Sequence, residues 1–380
     1  MKACVPLLLS LVFAVGCSDS SVTGPPPLWR VVPASTAAVT TPAAGITVMT
    51  RNLYIGADVD AVIVALLSTS SDDDLPALLV AVGTLQNTDF PTRVEALADE
   101  IAQARPHVVG LQEVEDLHIH LALPEGRIDI DQNFLSMLQA ALDARELNYR
   151  LAGEVTNLTA TLLPLGLDIS LTDHDAILVD ADRVDVGAVT ARTFEPEHNI
   201  GTVVPGLIDL VRGFVAIDAI IGETSVKIAS THLEAGITGL PGMHELRAGE
   251  AGELVGVAGT GPAILLGDFN DTAGSLMYQV VTGAGFTDAW AALRPSGAPG
   301  LTCCELSDLS NLLPTLSGRI DYVFVRGIAG PNGKLLGQIT VVGDRPGDRV
   351  PGPSYRIWPS DHAGVVASFV MPPAKGLAAR

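Results

Sequence analysis

Short apolar runs alternate with amphipathic segments along most of the chain. Strands are predicted at the apolar runs 46–49, 108–111, 176–179, 214–221, 226–230, 264–266, 320–325 and 365–370. Apolar residues at helical spacing predict helices over 91–104, 133–144, 241–257 and 276–281. Gly222 stands among polar residues between two of the runs and predicts a hairpin turn. Hairpins mixed with helices predict packed sheets with helices outside them.

Polar motifs follow several of the predicted strands. They are Leu111-Gln112-Glu113, Ser230-Thr231-His232-Leu233, Gly267-Asp268-Phe269-Asn270 and Ser360-Asp361-His362, and Asn52 follows the first apolar run. Strand ends meet at the edges of a sheet, so residues far apart in sequence can gather into one site. Acids, amides and histidines are the groups that a magnesium-assisted phosphoryl hydrolase needs.

Composition permits a large core but gives no sign of a polyanion-binding surface. The chain has 380 residues, of which 48% are hydrophobic. Its 22 Lys and Arg residues against 43 Asp and Glu residues give a net charge of −21, and no basic run is present. This argues against processive binding to long nucleic acid. It does not exclude a nuclease, because a bound divalent cation supplies local positive charge.

The N-terminus predicts export. Lys2 precedes an apolar stretch over 5–15 that is too short to span a membrane. The sequence Ala14-Val15-Gly16-Cys17 is similar to a bacterial lipobox, in which Cys17 would carry a lipid. An ordinary secretory peptide cleaved nearby is the alternative. We expect an exported protein, anchored to a membrane through its N-terminal lipid on the periplasmic or extracellular side, or else secreted.

The segments divide accordingly. We predict a signal peptide over 1–17, a flexible tether rich in Ser, Thr, Ala and Pro over 18–44, one domain over 45–372 and a tail over 373–380. Besides Cys17 and a cysteine inside the signal, only the adjacent Cys303 and Cys304 remain. They can form a vicinal disulfide or stay as free thiols, and the lack of further cysteines argues against a zinc site.

Local spacing suggests how the motif residues divide their work. Asp268 and Asn270 lie two residues apart, so in an extended segment both would face one phosphate or metal. Neighbouring Asp361 and His362 would point to opposite faces, which favours two separate roles. Asp321, at the start of another predicted strand, is suited to orient a histidine.

In their order and spacing, these motifs resemble the endonuclease/exonuclease/phosphatase superfamily. That superfamily includes pancreatic-type deoxyribonuclease, abasic-site endonucleases, bacterial sphingomyelinases and inositol-polyphosphate 5-phosphatases. The resemblance runs from about Ile46 to Val370, and the motifs around Asp268 and His362 are its most specific marks. It implies an α+β fold, a four-layer α/β/β/α sandwich of two mainly antiparallel sheets flanked by helices.

The resemblance also implies a metal site. Glu113 would be the ligand of Mg²⁺, or of Mn²⁺, with support from Asn52. Asp361 would be a further carboxylate on the metal side. Many members have an aromatic residue just before the equivalent of Asn52, whereas this chain has Arg51.

On the catalytic side, the resemblance implies that His362 is the general base and that Asp321 orients it. Asp268 would position water or the leaving group. Asn270 and His232 would donate hydrogen bonds to the non-bridging phosphate oxygens. The sequence leaves open the roles of four further polar residues: Asp58, His174, Asp175 and Arg212.

The resulting hypothesis is an exported, monomeric, metal-dependent phosphoesterase that uses a histidine base on a phosphodiester or phosphomonoester. Phospholipid headgroups or small phosphate esters are the first candidates for its substrate. One alternative is a secreted endonuclease or exonuclease acting on nucleic acid. Another is a non-catalytic surface-binding lipoprotein, which the presence of Glu113, Asp268 and His362 argues against.

Overall fold

The computed structural model describes residues 45–371 except 69–71, 125, 237–239, 295–296 and 330–332. The predicted signal peptide, the tether, the lipid attachment at Cys17 and the C-terminal tail lie outside the described residues. Within the described part, every helix is too short or too polar to cross a lipid bilayer.

Eighteen strands and seven α-helices make up the described regular structure. The strands are β1 (Gly45–Asn52), β2 (Val108–Gln112), β3 (Asp116–Leu123), β4 (Gly126–Asn133), β5 (Tyr149–Thr161), β6 (Asp168–Asp180), β7 (Asp185–Thr193), β8 (Gly201–Val204), β9 (Ile208–Leu210), β10 (Gly213–Ile221), β11 (Thr224–His232), β12 (Ala263–Asp268), β13 (Thr287–Asp288), β14 (Asp321–Arg326), β15 (Gly337–Val342), β16 (Val350–Pro351), β17 (Arg356–Ile357) and β18 (Gly364–Val370). The helices are α1 (Val59–Leu67), α2 (Asp74–Thr88), α3 (Phe90–Ala104), α4 (Phe134–Asp143), α5 (Met243–Val257), α6 (Leu276–Gly283) and α7 (Ala289–Leu293).

Two sheets form the centre of the fold. The larger has the order β15-β18-β1-β2-β6-β5-β9-β8, and the β3–β4 hairpin pairs with β6 beside this path. The smaller has the order β13-β14-β12-β11-β10-β7. Neighbouring strands are mostly antiparallel, but β1 with β2 and β11 with β12 are parallel.

Alternating apolar side chains arrange the sheets and helices in four layers. Val48 of the larger sheet and Ile264 of the smaller one lie in a shared core between the sheets. Met49, one position along, packs in the core that the larger sheet forms with α3 and α4. Leu265 packs in the core that the smaller sheet forms with α5 and α6. The predicted α+β fold, a four-layer α/β/β/α sandwich, is therefore confirmed.

The predicted elements are present with small shifts of their ends, but several observed ones were not predicted. The helix predicted from 241 begins at Met243, because Gly242 has a left-handed φ of 85°. The run 176–179 is only the buried end of the 13-residue β6, whose earlier residues are mostly polar or half-exposed. The β3–β4 hairpin escaped prediction because polar residues alternate along β4, which buries neither face.

Candidate active site

The strand pairing brings the polar motifs to one end of the two sheets. Asn52 lies beside Gln112 in the parallel β1–β2 pair of the larger sheet. In the smaller sheet, Asp268 at the end of β12 lies between His232 of β11 and Asp321 of β14. Because parallel strands share their carboxyl ends, residues from four separate motifs converge there.

A glycine allows the strands to approach closely at this point. Gly267 has a φ of 146°, and a Cβ atom there would collide with the backbone carbonyl of Thr231 in the neighbouring strand. The chain therefore needs a residue without a side chain immediately before Asp268.

The central histidine is held by two carboxylates. Nδ1 of His362 lies 2.9 Å from Oδ2 of Asp321 and 3.7 Å from Oδ2 of Asp268. Its backbone is fixed as well: the N–H donates to Oγ of Ser360 at 3.1 Å, and Arg51 donates to its carbonyl oxygen. With Nδ1 donating to Asp321, Nε2 is the nitrogen free to accept a proton.

Burial and mutual charge perturb the ionisation of this group. Burial alone would lower the pKa of His362, but the carboxylates of Asp321, Asp361 and Asp268 outweigh it and raise the pKa well above its usual value. Burial raises the pKa of Asp268 to about 7, with Asp321 adding to the effect and His362 opposing it. Burial also raises the pKa of Asp361 to about 7, with His362 opposing the effect and Glu113 adding to it. The ionisation of His362 therefore depends on that of Asp268 and Asp361.

Glu113 presents its carboxylate beside this group. Its Oε1 accepts from Nδ2 of Asn52 at 2.9 Å, and its Oε2 accepts from the backbone N–H of Ile55 at 2.9 Å. Glu113 has a left-handed φ of 53°, a conformation that non-glycine residues adopt mainly under local constraint. Nδ2 of Asn52 also lies 3.4 Å from Oδ2 of Asp268, which links the two halves of the site.

The donor set fits a hard divalent cation. The charge of Glu113 helps to raise the pKa of both Asp268 and Asp361, so Glu113 repels each of these two buried carboxyl groups. Magnesium prefers such oxygen ligands and would relieve that repulsion. Glu113, Asn52 and Asp361 are the residues suited to hold it. The ligand atoms of Asp268, Asp321 and His362 also lie within 4.8 Å of one another and form a second group able to hold a cation.

His232 is set up as a neutral donor. Nη1 of Arg212 donates to Nδ1 of His232 at 3.2 Å, so the imidazole hydrogen belongs on Nε2. Burial, with Arg212 and His362 adding to it, lowers the pKa of His232 well below its usual value. Nε2 lies 3.6 Å from Oδ2 of Asp268, at the centre of the site.

Comparison with known protein families identifies the family of this chain. The sequence model described as the Endonuclease/Exonuclease/phosphatase family matches residues 80–362. The chain belongs to the endonuclease/exonuclease/phosphatase family. This is a family of phosphoesterase hydrolases, and the match includes every motif of the site except Asn52. No curated protein sequence matches the chain.

Several solved structures share the fold of this chain. One is an endonuclease/exonuclease/phosphatase family protein from Bacteroides thetaiotaomicron, with a TM-score of 0.53 and 18% identity over 87% of this chain and 96% of that one. Another, from Beutenbergia cavernae, has a TM-score of 0.53 and 19% identity over 86% of this chain and 72% of that one. A mannosyl-6-phosphatase from Bacteroides thetaiotaomicron has a TM-score of 0.52 and 18% identity over 86% of this chain and all 100% of that one.

Asn270 does not lie as its spacing from Asp268 predicted. β12 ends at Asp268, and Asn270 has a left-handed φ of 50°, so the segment is not extended. Its backbone N–H donates to Oδ1 of Asp268 at 2.9 Å, and its side-chain Nδ2 donates to the carbonyl oxygen of Leu233 at 2.9 Å. The expectation that both side chains face the same way is therefore wrong, and Asn270 braces the turn in this structure.

The four residues whose roles the sequence left open lie in different parts of the structure. Arg212 stands behind His232 and also lies near Glu234, with Nε 3.3 Å from Oε2. Asp175 is fully buried, and burial raises the pKa of its carboxyl group well above the usual value. His174 contacts the carbonyl oxygen of Val114 at 3.2 Å. Asp58 caps α1, where its side chain accepts from the N–H of Ala61.

Several supporting residues were missed by reasoning from the sequence. Oγ1 of Thr302 accepts from the backbone N–H groups of Ile320 and Asp321, each at 3.2 Å, and so fixes the start of β14. Cys303, bonded to Cys304 in a disulfide, forms a β-bridge with His362. The segment that contains Thr302 and Cys303 thus supports Asp321 and His362. Only the tertiary structure reveals these contacts.

Gln112 is a polar residue of the motif Leu111-Gln112-Glu113, and its hydrogen bonds account for its presence there. Its Oε1 accepts from Oγ1 of Thr50 at 3.0 Å, and its Nε2 donates to Oγ of Ser230 at 3.1 Å. Ser230 belongs to β11, so this buried amide joins the two sheets just beneath the site. Its role in the structure is to hold the two halves of the site together.

Proposed function

We propose that the protein is an exported, metal-dependent phosphoesterase in which His362 activates the attacking water. The observation that carries this proposal is the placement of His362 between Asp321 and Asp268, next to the side-chain amide of Asn52, which also binds the carboxylate of Glu113. A base, its orienting acid and a hard-cation site at one point are the parts that hydrolysis of a phosphate ester requires.

Each side chain has a defined task in this mechanism. Nε2 of His362 in its neutral form takes a proton from water as the water oxygen bonds to phosphorus, and Asp321 stabilises the resulting imidazolium. A cation beside the carboxylates would offset the negative charge that raises the pKa of His362 and so favour the neutral form. The ester oxygen leaves with the electrons of the broken P–O bond, and the protonated carboxyl of Asp268, whose pKa burial raises to about 7, donates a hydrogen bond to it. Nε2–H of His232 donates to a non-bridging phosphate oxygen. A magnesium or manganese ion held by Glu113, Asn52 and Asp361 would neutralise phosphate charge.

An apolar cavity lies beside the loop that follows Asn52 and offers room for a small apolar group. The cavity has a volume of about 90 Å³ and is lined entirely by apolar residues, among them Ile55, Ile63 and Leu117. Ile55 is the residue whose backbone N–H binds Glu113, so the cavity wall is directly next to the proposed metal ligand. The net charge of −21 supports a phospholipid headgroup or a small phosphate ester over a nucleic acid.

A substrate panel tests the proposal. The purified chain is assayed with magnesium against a chromogenic phosphodiester, a phosphomonoester, phosphatidylcholine and sphingomyelin vesicles, and plasmid DNA. We expect turnover of an ester or a lipid that EDTA abolishes and that His362→Ala removes. His198→Ala is the matched control, because this histidine pairs with Glu253 outside the site. Turnover that survives both EDTA and His362→Ala would contradict the mechanism.

The same panel separates the alternatives. Turnover of plasmid DNA without turnover of the lipids or small esters would make the protein a nuclease. No turnover of any substrate, by a protein that circular dichroism shows to be folded, would favour a non-catalytic surface-binding lipoprotein.

The proposal also covers location and assembly. It places the protein outside the cytoplasm as a monomer attached to a membrane through a lipid on Cys17. Cys17→Ser should then move the protein from the membrane fraction to the soluble fraction of cells that express it. An unchanged distribution would remove the lipid anchor from the proposal.

A further inference from the structure

Histidines and aspartates gather on one face of the β3–β4 hairpin and the adjoining start of β6. In the strand register His118 lies opposite Asp131, and His120 lies opposite Asp129. On the other side of β3, His120 lies opposite Asp168 of β6. Because residues two apart on a strand point to the same face, the two imidazoles and these carboxylates share one surface.

The side chains are in direct contact. Nδ1 of His118 lies 2.5 Å from Oδ1 of Asp131, and Nε2 of His120 lies 3.0 Å from Oδ2 of the same carboxylate. Asp168 approaches from the opposite side, with Oδ1 3.4 Å from Nε2 of His118. The two imidazole rings are 4.1 Å apart between centroids. The carboxylate of Asp131 therefore bridges both histidines.

Neighbouring cations do not neutralise this group. Arg127 binds Asp129 through contacts of 2.6 and 2.7 Å and so occupies that carboxylate. Within the described residues, the ion pairs of Asp131 are those with His118 and His120. Two nitrogen donors and a carboxylate thus face one another without a lysine or arginine between them.

We propose that His118, His120 and Asp131 form a surface site for a divalent transition-metal ion of the zinc class, with Asp168 or water completing the coordination. One ligand atom from each of the three residues lies within 4.8 Å of the others. In a tetrahedral zinc site with bonds of 2.0–2.1 Å, ligand atoms are separated by about 3.3 Å. The side chains are 26–65% exposed, so small rotations bring the present contacts to that spacing.

The donor types distinguish this site from the active site. Two imidazoles select zinc, copper or nickel over magnesium, whereas the oxygen donors around Glu113 suit magnesium. A metal bound here would link β3 to β4 across the hairpin. Without a metal, the contacts would be exposed histidine–aspartate ion pairs, which contribute little to stability.

Zinc titration of the whole protein tests the site. Chelator-stripped protein, held in excess magnesium to fill the active site, is titrated with Zn²⁺ by calorimetry and with Co²⁺ by visible absorption. We expect one zinc ion per chain whose binding depends on His118 and His120, with the absorption of a nitrogen-ligated, tetrahedral cobalt ion. His118→Ala and His120→Ala should each weaken zinc binding by about tenfold or more.

Two matched variants separate this site from others. His198→Ala removes a histidine that also contacts a carboxylate, Glu253 at 2.7 Å, but has no second imidazole beside it, and it should leave zinc binding unchanged. Glu113→Gln should also leave it unchanged. The proposal is overturned if the wild-type protein binds no zinc at micromolar concentration, if His118→Ala binds normally, or if Glu113→Gln abolishes binding. Circular dichroism verifies that each variant is folded.

Discussion

Replacement of Arg93 by methionine should weaken both the fold and the site. This fully buried guanidinium donates four hydrogen bonds to backbone carbonyls: to Thr88 at 2.7 Å, Leu53 at 2.7 Å, Tyr54 at 2.8 Å and Pro359 at 3.0 Å. Leu53 and Tyr54 follow the proposed metal ligand Asn52, and Pro359 begins the approach to His362. One side chain of α3 therefore ties together the two loops that carry these residues.

The magnitude follows from the contacts. A hydrogen bond from a charged donor contributes about 1.5–3 kcal/mol, so four contribute about 6 kcal/mol at the lower end. Removing the guanidinium also removes the cost of burying a charge, which is several kcal/mol in proteins. Burial lowers the pKa of Arg93 only to about 10, so the charge is present at neutral pH. We expect a net loss of about 3 kcal/mol in the free energy of unfolding.

Urea unfolding followed by tryptophan fluorescence measures this loss. Arg150→Met is the control, because Arg150 is half-exposed and pairs with the exposed Asp143, and its loss should cost less than about 1 kcal/mol. At a temperature where Arg93→Met is folded, kcat/KM should fall by about tenfold or more, because the loops shift. A loss of stability below about 1 kcal/mol with unchanged kcat/KM would refute the reasoning.

Three further substitutions probe the site and the core. Asp321→Asn should lower kcat by roughly 100-fold with little change in KM, because His362 loses its orienting carboxylate; a change confined to KM would contradict this role. Glu113→Gln should raise the magnesium concentration needed for half-maximal activity, and an unchanged titration would remove Glu113 as a ligand. Burial raises the pKa of Glu250 to about 8 from 4.5. The stability linked to its proton is therefore complete at low pH and lost as pH rises toward 8. Glu250→Gln should gain stability relative to the wild type between pH 5 and pH 8, and a pH-independent difference in urea midpoints would count against it.

The central strands of the two sheets could be predicted from the sequence, because the run of apolar residues that marks each strand lies within that strand. Apolar runs such as Ile264 to Leu266 mark buried strands, and a polar residue directly after them marks a sheet edge. The convergence of Asp268 and His362 follows from this rule together with the family resemblance. The same rule could not give the turn after Asp268, because the left-handed backbone of Asn270 is set by contacts with Leu233.

Contacts between distant backbone segments account for most of what the sequence did not show. Arg93 reads as an ordinary helix residue, yet its acceptors lie 40 residues earlier at Leu53 and 266 residues later at Pro359. Thr302 is equally inconspicuous in a loop. The position of the proton on Nε2 of His232 depends on Arg212, which stands 20 residues away on a different segment. The spacing of apolar residues within a single segment does not indicate such distant partners.

The pairing of the first and last strands has a practical consequence for handling the protein. Gly45 lies opposite Val370, so both ends of the described chain leave the larger sheet side by side. Asn52 ends the eight-residue β1 on the other side, roughly 23 Å away at 3.3 Å per residue, and His362 lies just before β18 begins. A fusion partner, an affinity tag or a solid support joined directly at Gly45 or just after Val370 would thus be attached at the pole opposite the catalytic residues. Protein immobilised at either of these two positions will present its catalytic end to the solution.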